Sequence, residues 1–134
     1  MQTQQQIHDF LKQHFPAAIE NCRIEAIHAH GVTVRFAIGP EHLRPGQSVS
    51  GPTIMTLADV AVYMAILAHV GLQDTVLTNS LNVHFLARPA ADQDLRAEVE
   101  LIKIGRRLVI AETKIYSWDE NEPVAHATVS YSRI

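Results

Sequence analysis

A single carboxylate, Asp59, lies in the middle of the most apolar stretch of the chain. An unpaired charge in apolar surroundings costs several kcal/mol, so Asp59 needs hydrogen-bond donors, a cation or an opening to water. Thr56 precedes it and Tyr63 follows it at helical spacing, which predicts one polar stripe along an otherwise apolar helix. Such a carboxylate belongs either to a reaction site or to a structural cap of a neighbouring strand or loop, and spacing alone leaves both open.

The helix that carries Asp59 is predicted over 51–69, because apolar residues occupy nearly every side of this stretch. Pro52 suits a first helical position, where the N–H that proline lacks would have no partner, and Gly51 comes just before it. Small residues keep much of the surface flat: Ala58, Ala61, Ala65 and Ala68. A helix that is apolar all round must be enclosed by the rest of the chain.

Extended segments flank the predicted helix and must enclose it. The stretch from Val32 to Ile38 alternates apolar and polar residues, which predicts one strand before the helix. After the helix, four strands are predicted at about 76–86, 94–104, 107–117 and 124–132. The short connections between them leave no room for parallel crossovers, so the sheet is antiparallel.

The sequence therefore predicts an α+β protein, in which a five-stranded antiparallel sheet wraps a long central helix. Residues 3–14 add a short amphipathic N-terminal helix that ends before Pro16. A length of 134 residues suits one domain with a real core, so we expect a single domain over 1–134.

Composition excludes several classes of function. The net charge is −3 and the Lys and Arg residues are scattered, whereas nucleic-acid binding needs a clustered basic surface. The polar N-terminus lacks the pattern of a secretory signal, and the central Asp59 argues against a membrane span. The single cysteine, Cys22, excludes an internal disulfide and fits a reducing compartment. We expect a cytoplasmic protein that binds neither nucleic acid nor membrane.

Metal and nucleophile motifs are weak or missing. His28 and His30 are the best candidates for metal ligands, but no third ligand stands at a recognisable spacing, so we expect no metal and no cofactor. The chain also lacks a Gly-x-Ser-x-Gly elbow and a phosphate-binding glycine loop, and Cys22 lacks a signature His context.

Four segments occur in an order that carries a family resemblance. They are Arg44-Pro-Gly-Gln-Ser-Val-Ser-Gly-Pro52 running into Leu57-Ala-Asp-Val-Ala61, then Asn82-Val-His-Phe-Leu-Ala-Arg-Pro-Ala90, Gly105-Arg-Arg-Leu108 and Val124-Ala-His-Ala127. In these segments the chain resembles the PaaI-type acyl-CoA thioesterases of the hotdog-fold thioesterase superfamily. The resemblance implies a hotdog fold and the hydrolysis of an acyl-CoA thioester to a free acid and CoA.

The resemblance also implies roles for individual residues. Asp59 is the catalytic base or nucleophile, the Gly51 N–H polarises the thioester carbonyl, and Thr78 from a partner subunit helps to place the attacking water. Arg106 and Arg107 are candidates for contacts with the CoA phosphates, with solvated turn charges as the alternative. The other expected substrate contacts are Ser50, Pro52, Thr56, Tyr63 and Asn82.

Two positions depart from the family pattern. Ser50 stands where the family usually has His, and Pro52 stands where it usually has a second Gly. Proline cannot donate a hydrogen bond, whereas Gly51 still can, aided by the partial positive charge at the helix N-terminus. The oxyanion site is therefore expected to be reduced but present.

The spacing of Gly51 and Asp59 implies a second subunit. They are eight residues apart, about 12 Å along a helix axis, which is too far for both to touch one carbonyl. A groove between two subunits would close this gap. We therefore expect a homodimer with two shared sites on a two-fold axis, with a homotetramer, a dimer of dimers, as the larger alternative.

Two other functions stay open. A non-catalytic hotdog protein that binds acyl-CoA or another apolar ligand would use Asp59 structurally, and the Ser50 and Pro52 departures favour it. A thioester dehydratase would need a His–Asp or His–Glu pair, for which His69 and His84 are the nearest histidines in sequence. The dehydratase motif His-x-Pro occurs at His14, but far upstream of the central helix that it leads into in dehydratases. Because Asp59 and Gly51 are both present, the hydrolase is the hypothesis we adopt.

Overall fold

Two α-helices and eight strands make up the computed structural model, which describes residues 1–134. The helices are α1 (Gln4–His14) and α2 (Gly51–His69). Six strands form the main sheet: β1 (Cys22–Ile27), β2 (Gly31–Phe36), β5 (Val76–Phe85), β6 (Leu95–Ile104), β7 (Leu108–Ser117) and β8 (Ala125–Arg133). β3 (Leu43–Arg44) and β4 (Ser48–Val49) form a small ribbon ahead of α2.

The main sheet is antiparallel throughout, has the order β1-β2-β6-β7-β8-β5, and wraps α2. Between Leu57 and Ala68 every residue of α2 is buried except Asp59. Although α2 is long and apolar enough to cross a membrane, 72% of its most apolar window is buried inside the fold. It is therefore the core helix of the protein, and no membrane span is indicated.

The predicted range 51–69 is confirmed for α2, but Pro52, expected at the first helical position, is the second helical residue. Ser50 is the N-cap, and its Oγ accepts a hydrogen bond from the Thr53 N–H at 3.3 Å. Gly51 is therefore the first helical residue, and Pro52 lies within the first turn, where its missing N–H leaves no hydrogen bond unmade.

The four strands predicted after α2 are confirmed to within one residue at each end. The strand count before α2 was wrong, because β1 and β2 form a hairpin where the sequence predicted one strand, so the sheet has six strands rather than five. β1 is a sheet edge with a register shift between Ile24 and Ala26, and it is only partly buried. Such a strand shows no clean alternation of apolar and polar residues.

The opposite edge strand, β5, contains a bulge that sets which side chains face α2. Thr78 pairs with Tyr131 and Ser80 with Ser130, so Asn79 is an extra residue. Strict alternation would place Thr78 and Leu81, three positions apart, on opposite faces. Because of the bulge, Thr78 reaches Asp59 on α2 while Leu81 still packs against the core.

The N-terminal helix braces one side of α2. Thr3 and Gln6 form a capping box at its start, and Ile7 and Leu11 are buried against the core. α1 ends at His14, ahead of a turn of 3-10 helix over Pro16–Ile19. This arrangement brings the end of α1 to a cavity beside α2.

Candidate active site

A cavity of about 420 Å³ opens beside the middle of α2. The predicted polar stripe lines it, since Thr56, Asp59 and Tyr63 all border the cavity. The other lining residues are Val60 of α2 and residues from the end of α1, the turn after α2, β5 and β8: His14, Phe15, Asp74, Val76, Leu77, Thr78 and Tyr131. The volume falls within the range of small-molecule sites.

Asp59 is half-buried, and two hydroxyls hold its carboxylate. Thr78 Oγ1 donates to Asp59 Oδ1 at 2.8 Å. Tyr131 Oη donates to the same oxygen at 2.8 Å and lies 2.9 Å from the main-chain oxygen of Asp59. Asp59 Oδ2 accepts no hydrogen bond from the chain. The charge is thus compensated on one oxygen, while the side chain keeps access to the cavity.

The position of Thr78 corrects one expectation. The resemblance implied that Thr78 reaches the site from a partner subunit, but in the structure it contacts Asp59 of its own chain. The reason is the β5 bulge, which turns Thr78 toward α2. Asp59 and Thr78 therefore form one unit within each chain.

Tyr131 belongs to an aromatic stack that the sequence analysis did not identify. Its ring is 5% exposed and stacks on Tyr63, with ring centroids 5.9 Å apart, and Phe15 lies 6.5 Å beyond Tyr63. Burial, and after it the negative charge of Asp59, raises the pKa of Tyr131. Its hydroxyl therefore stays protonated and able to donate at ordinary pH.

The Tyr63 hydroxyl does not contact Asp59. Its hydroxyl donates to the main-chain oxygen of Gln73 at 2.8 Å, in the turn after α2. Burial, followed by the charge of Asp74, raises the pKa of Tyr63. Tyr63 therefore forms a wall of the cavity and does not bind the Asp59 carboxylate.

The N-terminus of α2 offers one free amide. Pro52 has no N–H, Thr53 donates to Ser50 Oγ, and Ile54 donates to the Ser50 main-chain oxygen at 3.3 Å. The N–H of Gly51 makes no hydrogen bond within the chain. The first turn thus retains a single donor, at the position that the sequence analysis selected.

Gly51 and Asp59 do not meet within one chain. The closest side chain to Gly51 is Phe85 at the end of β5, whose ring would lie 3.5 Å from a Cβ added to the glycine. Gly51 does not border the cavity beside Asp59, and the two residues are about 12 Å apart along the axis of α2.

Several predicted contacts lie outside the cavity. Asn82 pairs with Thr128 and is exposed on the face of the sheet turned away from α2. Arg106 and Arg107 are exposed in the β6–β7 turn, at the end of the sheet to which Tyr131 belongs, and neither borders the cavity. Ser50 and Pro52 lie at the start of α2, away from Asp59.

The histidines and the cysteine show no reaction site of their own. His28 Nε2 lies 2.7 Å from Thr33 Oγ1, and no group of three residues is arranged to hold a metal. His69 and His84 do not border the cavity, whereas His14 does, without a hydrogen bond to Asp59. Burial raises the pKa of Cys22 to about 12, so its thiol is an unreactive core group.

The residues that the sequence analysis missed reach the cavity through tertiary contacts. Tyr131 alternates with polar neighbours as any half-buried strand residue does, so nothing local marks its partner on α2. For His14 and Phe15 the sequence contains one indication, because the following Pro16 predicts that α1 ends at this point. Pro16 thus predicts where α1 ends, but not that this end of the helix lies beside Asp59.

Comparison with known proteins identifies relatives in both sequence and structure. The family model described as the thioesterase superfamily matches residues 46–124. No curated protein matches the sequence. The crystal structure of a candidate thioesterase from Silicibacter sp. TM1040 is 34% identical, with 96% of this chain and 90% of the other covered and a TM-score of 0.86.

Two more distant structures share the architecture. Zebra fish thioesterase superfamily member 2 is 15% identical over 100% of both chains, with a TM-score of 0.82. A mutant of the phenylacetic acid degradation protein PaaI from Thermus thermophilus is 17% identical, covering 94% of this chain and 99% of the other, with a TM-score of 0.74. At these identities the likeness shows the fold, and it confirms the predicted hotdog architecture.

Proposed function

The chain belongs to the thioesterase superfamily, and from this premise we propose that it is an acyl-CoA thioesterase, which hydrolyses a thioester to a free acid and CoA. The observation that carries the proposal is Asp59, the one residue between Leu57 and Ala68 of the core helix that is not buried. Two hydroxyls orient its carboxylate beside a cavity of about 420 Å³.

The chemistry follows from the carboxylate. As a general base, Asp59 takes a proton from water while the water oxygen bonds to the thioester carbon. As a nucleophile, it bonds to that carbon itself, and water then hydrolyses the resulting anhydride. In both routes the carbon–sulfur bond breaks and the CoA thiolate leaves, to be protonated by solvent or by the group that holds the proton.

The thioester oxygen gains negative charge during this step and needs a donor. We propose that the free N–H of Gly51 supplies it, supported by the partial positive charge at the N-terminus of α2. Since Gly51 and Asp59 of one chain are about 12 Å apart, the donor must come from a second copy. The reaction site is then shared between subunits.

The edge strand β5 is the surface that we propose for the dimer. It pairs with β8 on one side only, which leaves its other edge without a strand. Leu77 is 57% exposed and Phe85 53%, and Leu86, directly after the strand, is 55% exposed, so this edge carries apolar side chains that are open to solvent. Pairing two copies of β5 would satisfy the edge and bury these side chains.

The bulge in β5 limits the registers open to this pairing, and we propose the one that sets Thr78 opposite Phe85. Antiparallel neighbours must point to the same face, so Thr78 requires an inward-facing partner such as Phe85, the residue nearest to Gly51. With Asn79 as the extra residue, this pairing sets Ser80 opposite His84 and places Asn82 on the two-fold axis. It brings Gly51 of one subunit toward Asp59 of the other.

The test of the function is thiol release from a panel of acetyl, medium-chain, long-chain and aromatic acyl-CoAs. Asp59→Asn should lower turnover at least about a hundredfold, the scale of losing a catalytic base. It should also fold, since the amide oxygen can still accept from Thr78 and Tyr131. Asp92→Asn, at an exposed turn position, is the matched control and should keep full turnover. Equal turnover in wild type and Asp59→Asn would remove Asp59 from the mechanism.

A non-catalytic acyl-CoA-binding dimer is the second candidate. One observation favours it, namely that only one amide of the α2 first turn is free while Ser50 is used as the helix cap. On this hypothesis calorimetry would show acyl-CoA binding while no member of the panel releases thiol. Steady thiol release from any substrate rejects it.

We further propose that Arg106 and Arg107 meet the CoA phosphates and that the protein acts in the cytoplasm. The exposure of both arginines in one turn supports the first point, because phosphate contacts need reachable cations. The single buried cysteine, Cys22, is compatible with a reducing compartment.

A further inference from the structure

The two oxygens of the Asp59 carboxylate are not equivalent. Oδ1 accepts from Thr78 Oγ1 and from Tyr131 Oη, each at 2.8 Å, whereas Oδ2 accepts from neither and has no other partner in the chain. Hydrogen bonds to an ionised carboxylate are stronger than those between neutral groups. Two of them on one oxygen fix the rotation of the whole carboxylate about its last side-chain bond.

Tyr131 is better placed than Thr78 to do this. It is 5% exposed, its ring stacks on Tyr63, and its hydroxyl also lies 2.9 Å from the main-chain oxygen of Asp59. The phenol thus contacts the side chain and the backbone of the same residue. Tyr131 therefore fixes the carboxylate relative to the backbone of α2. Thr78, in contrast, is exposed on an edge strand.

We infer that Tyr131 is a positioning residue for Asp59: with Thr78 it holds Oδ1 and leaves Oδ2 as the oxygen that attacks the thioester carbon or takes the proton from water. The inference rests on the proposed function for its chemical meaning. Its structural part, that Tyr131 and Thr78 together set the carboxylate orientation, does not depend on turnover.

The charged and titratable groups around Asp59 are few. Four other titratable side chains border the cavity: Tyr63 from α2, Tyr131 from β8, Asp74 from the turn after α2 and His14 from α1. The cavity-lining residues of β5 are not titratable. Tyr63 and Tyr131 both have raised pKa values and stay neutral below pH 10. His14 and Asp74 are therefore the other ionisable side chains that border the cavity with Asp59.

The test compares Tyr131→Phe, Thr78→Val and the double variant with wild type. Phenylalanine keeps the ring stack and removes only the hydroxyl, so the fold should survive. We expect Tyr131→Phe to lower kcat about tenfold and to change KM less than about threefold, because the hydroxyl acts on Asp59 and not on the substrate. Tyr116→Phe, on the outer face over Arg96, is the control and should keep wild-type kcat and KM.

The pH dependence separates positioning from a general loss of stability. Removing a donor to a carboxylate favours its protonated form, so the acid limb of the kcat/KM profile should move to higher pH in Tyr131→Phe. The same displacement should occur when His14→Gln or Asp74→Asn is added to both proteins. Circular dichroism at each pH is the control, because a variant that is merely less stable would lose activity only where it loses folded protein.

Crystal structures supply a measurement that needs no activity. We expect the Asp59 carboxylate to keep one orientation in wild type and to rotate or occupy several orientations in the double variant. A double variant with the wild-type orientation overturns the inference, as does a folded Tyr131→Phe with wild-type kcat and pH profile. If no acyl-CoA is hydrolysed by the wild type, the proposed function fails, and the carboxylate orientation still decides the role of Tyr131.

Discussion

At the scale of single residues, Ser50 shows how a departure from the family pattern is used structurally. Its Oγ accepts from the Thr53 N–H at 3.3 Å and lies 2.8 Å from Thr53 Oγ1, which satisfies one of the first-turn amides that have no acceptor within the helix. The hydroxyl is engaged in holding the helix end beside the free Gly51 N–H. Ser50 therefore holds the helix end next to that amide.

Ser50→Ala should destabilise the protein by about 1 kcal/mol, the usual cost of losing an N-cap, and lower Tm by roughly 3–5 °C. Ser50→Asp retains a capping oxygen and should stay close to wild type. Thermal unfolding followed by circular dichroism measures both. Equal Tm values for the alanine and aspartate variants would show that the cap contributes nothing.

The site residues that could be predicted from the sequence are those that lie close together within one secondary-structure element. Thr56, Asp59 and Tyr63 share one helix face, so their spacing alone brings them to the same cavity. Tyr131 could not be found this way, because its contact with Asp59 depends on how β8 is placed over α2. Asn82 was assigned by resemblance alone, and the strand parity turns it to the outer face.

At the scale of elements, Asp94 joins the start of β6 to β2 and to the segment after it. Its carboxylate accepts from Arg35 Nε at 2.8 Å and from the Ile38 N–H at 2.9 Å. Burial alone would raise the pKa of Asp94, but these hydrogen bonds and the charges of Arg35 and Arg23 outweigh it and lower the pKa. The charged form of Asp94 therefore stabilises the folded state.

Asp94→Asn should lower the free energy of unfolding by roughly 1 kcal/mol at pH 7. Because the folded pKa lies below the usual value of 3.8, the contribution is complete above that value and is lost as the pH falls through the folded pKa. Urea unfolding from pH 7 to pH 2.5 should show the wild type and the variant converging at the acid end. A difference that is constant over this range would contradict the assignment.

The strands could be predicted where one face is buried and the alternation is clean, as in β6 with its inward Leu95, Ala97 and Val99. β1 could not, because both its register shift and its partial exposure break the period. The β5 bulge was equally hidden, since Thr78 and Leu81 obey one strand pattern only after Asn79 is removed from the count.

At the scale of the whole molecule, the proposed β5–β5 pairing makes a claim about register. Asn82 lies on the outer face, where a cysteine would be exposed, and the native Cys22 is buried and unreactive. In the proposed register the two copies of Asn82 face each other across the two-fold axis. The two copies of His84 are then separated by about 13 Å, four strand positions.

Asn82→Cys should therefore form a disulfide-linked dimer under mild oxidation, and His84→Cys should not, since cross-linking needs Cα atoms within about 7 Å. Non-reducing electrophoresis measures the linked fraction, and light scattering of the wild type measures the mass. Linkage through His84→Cys but not Asn82→Cys would disprove the register, and a wild-type monomer would disprove the shared site.

The two edges of the main sheet are built very differently, and this difference would limit growth of the proposed assembly. If β5 pairs with its own copy across a two-fold axis, the edge strands of the main sheet that could still pair with further molecules are the two copies of β1. There the register shift after Ile24, the charged side chains of Arg23 and Glu25, and the Gln4 amide that donates to the Glu25 main-chain oxygen at 3.3 Å all oppose addition of another strand. In the proposed dimer, β5 would therefore pair with its own copy while neither β1 edge favours growth into fibrils.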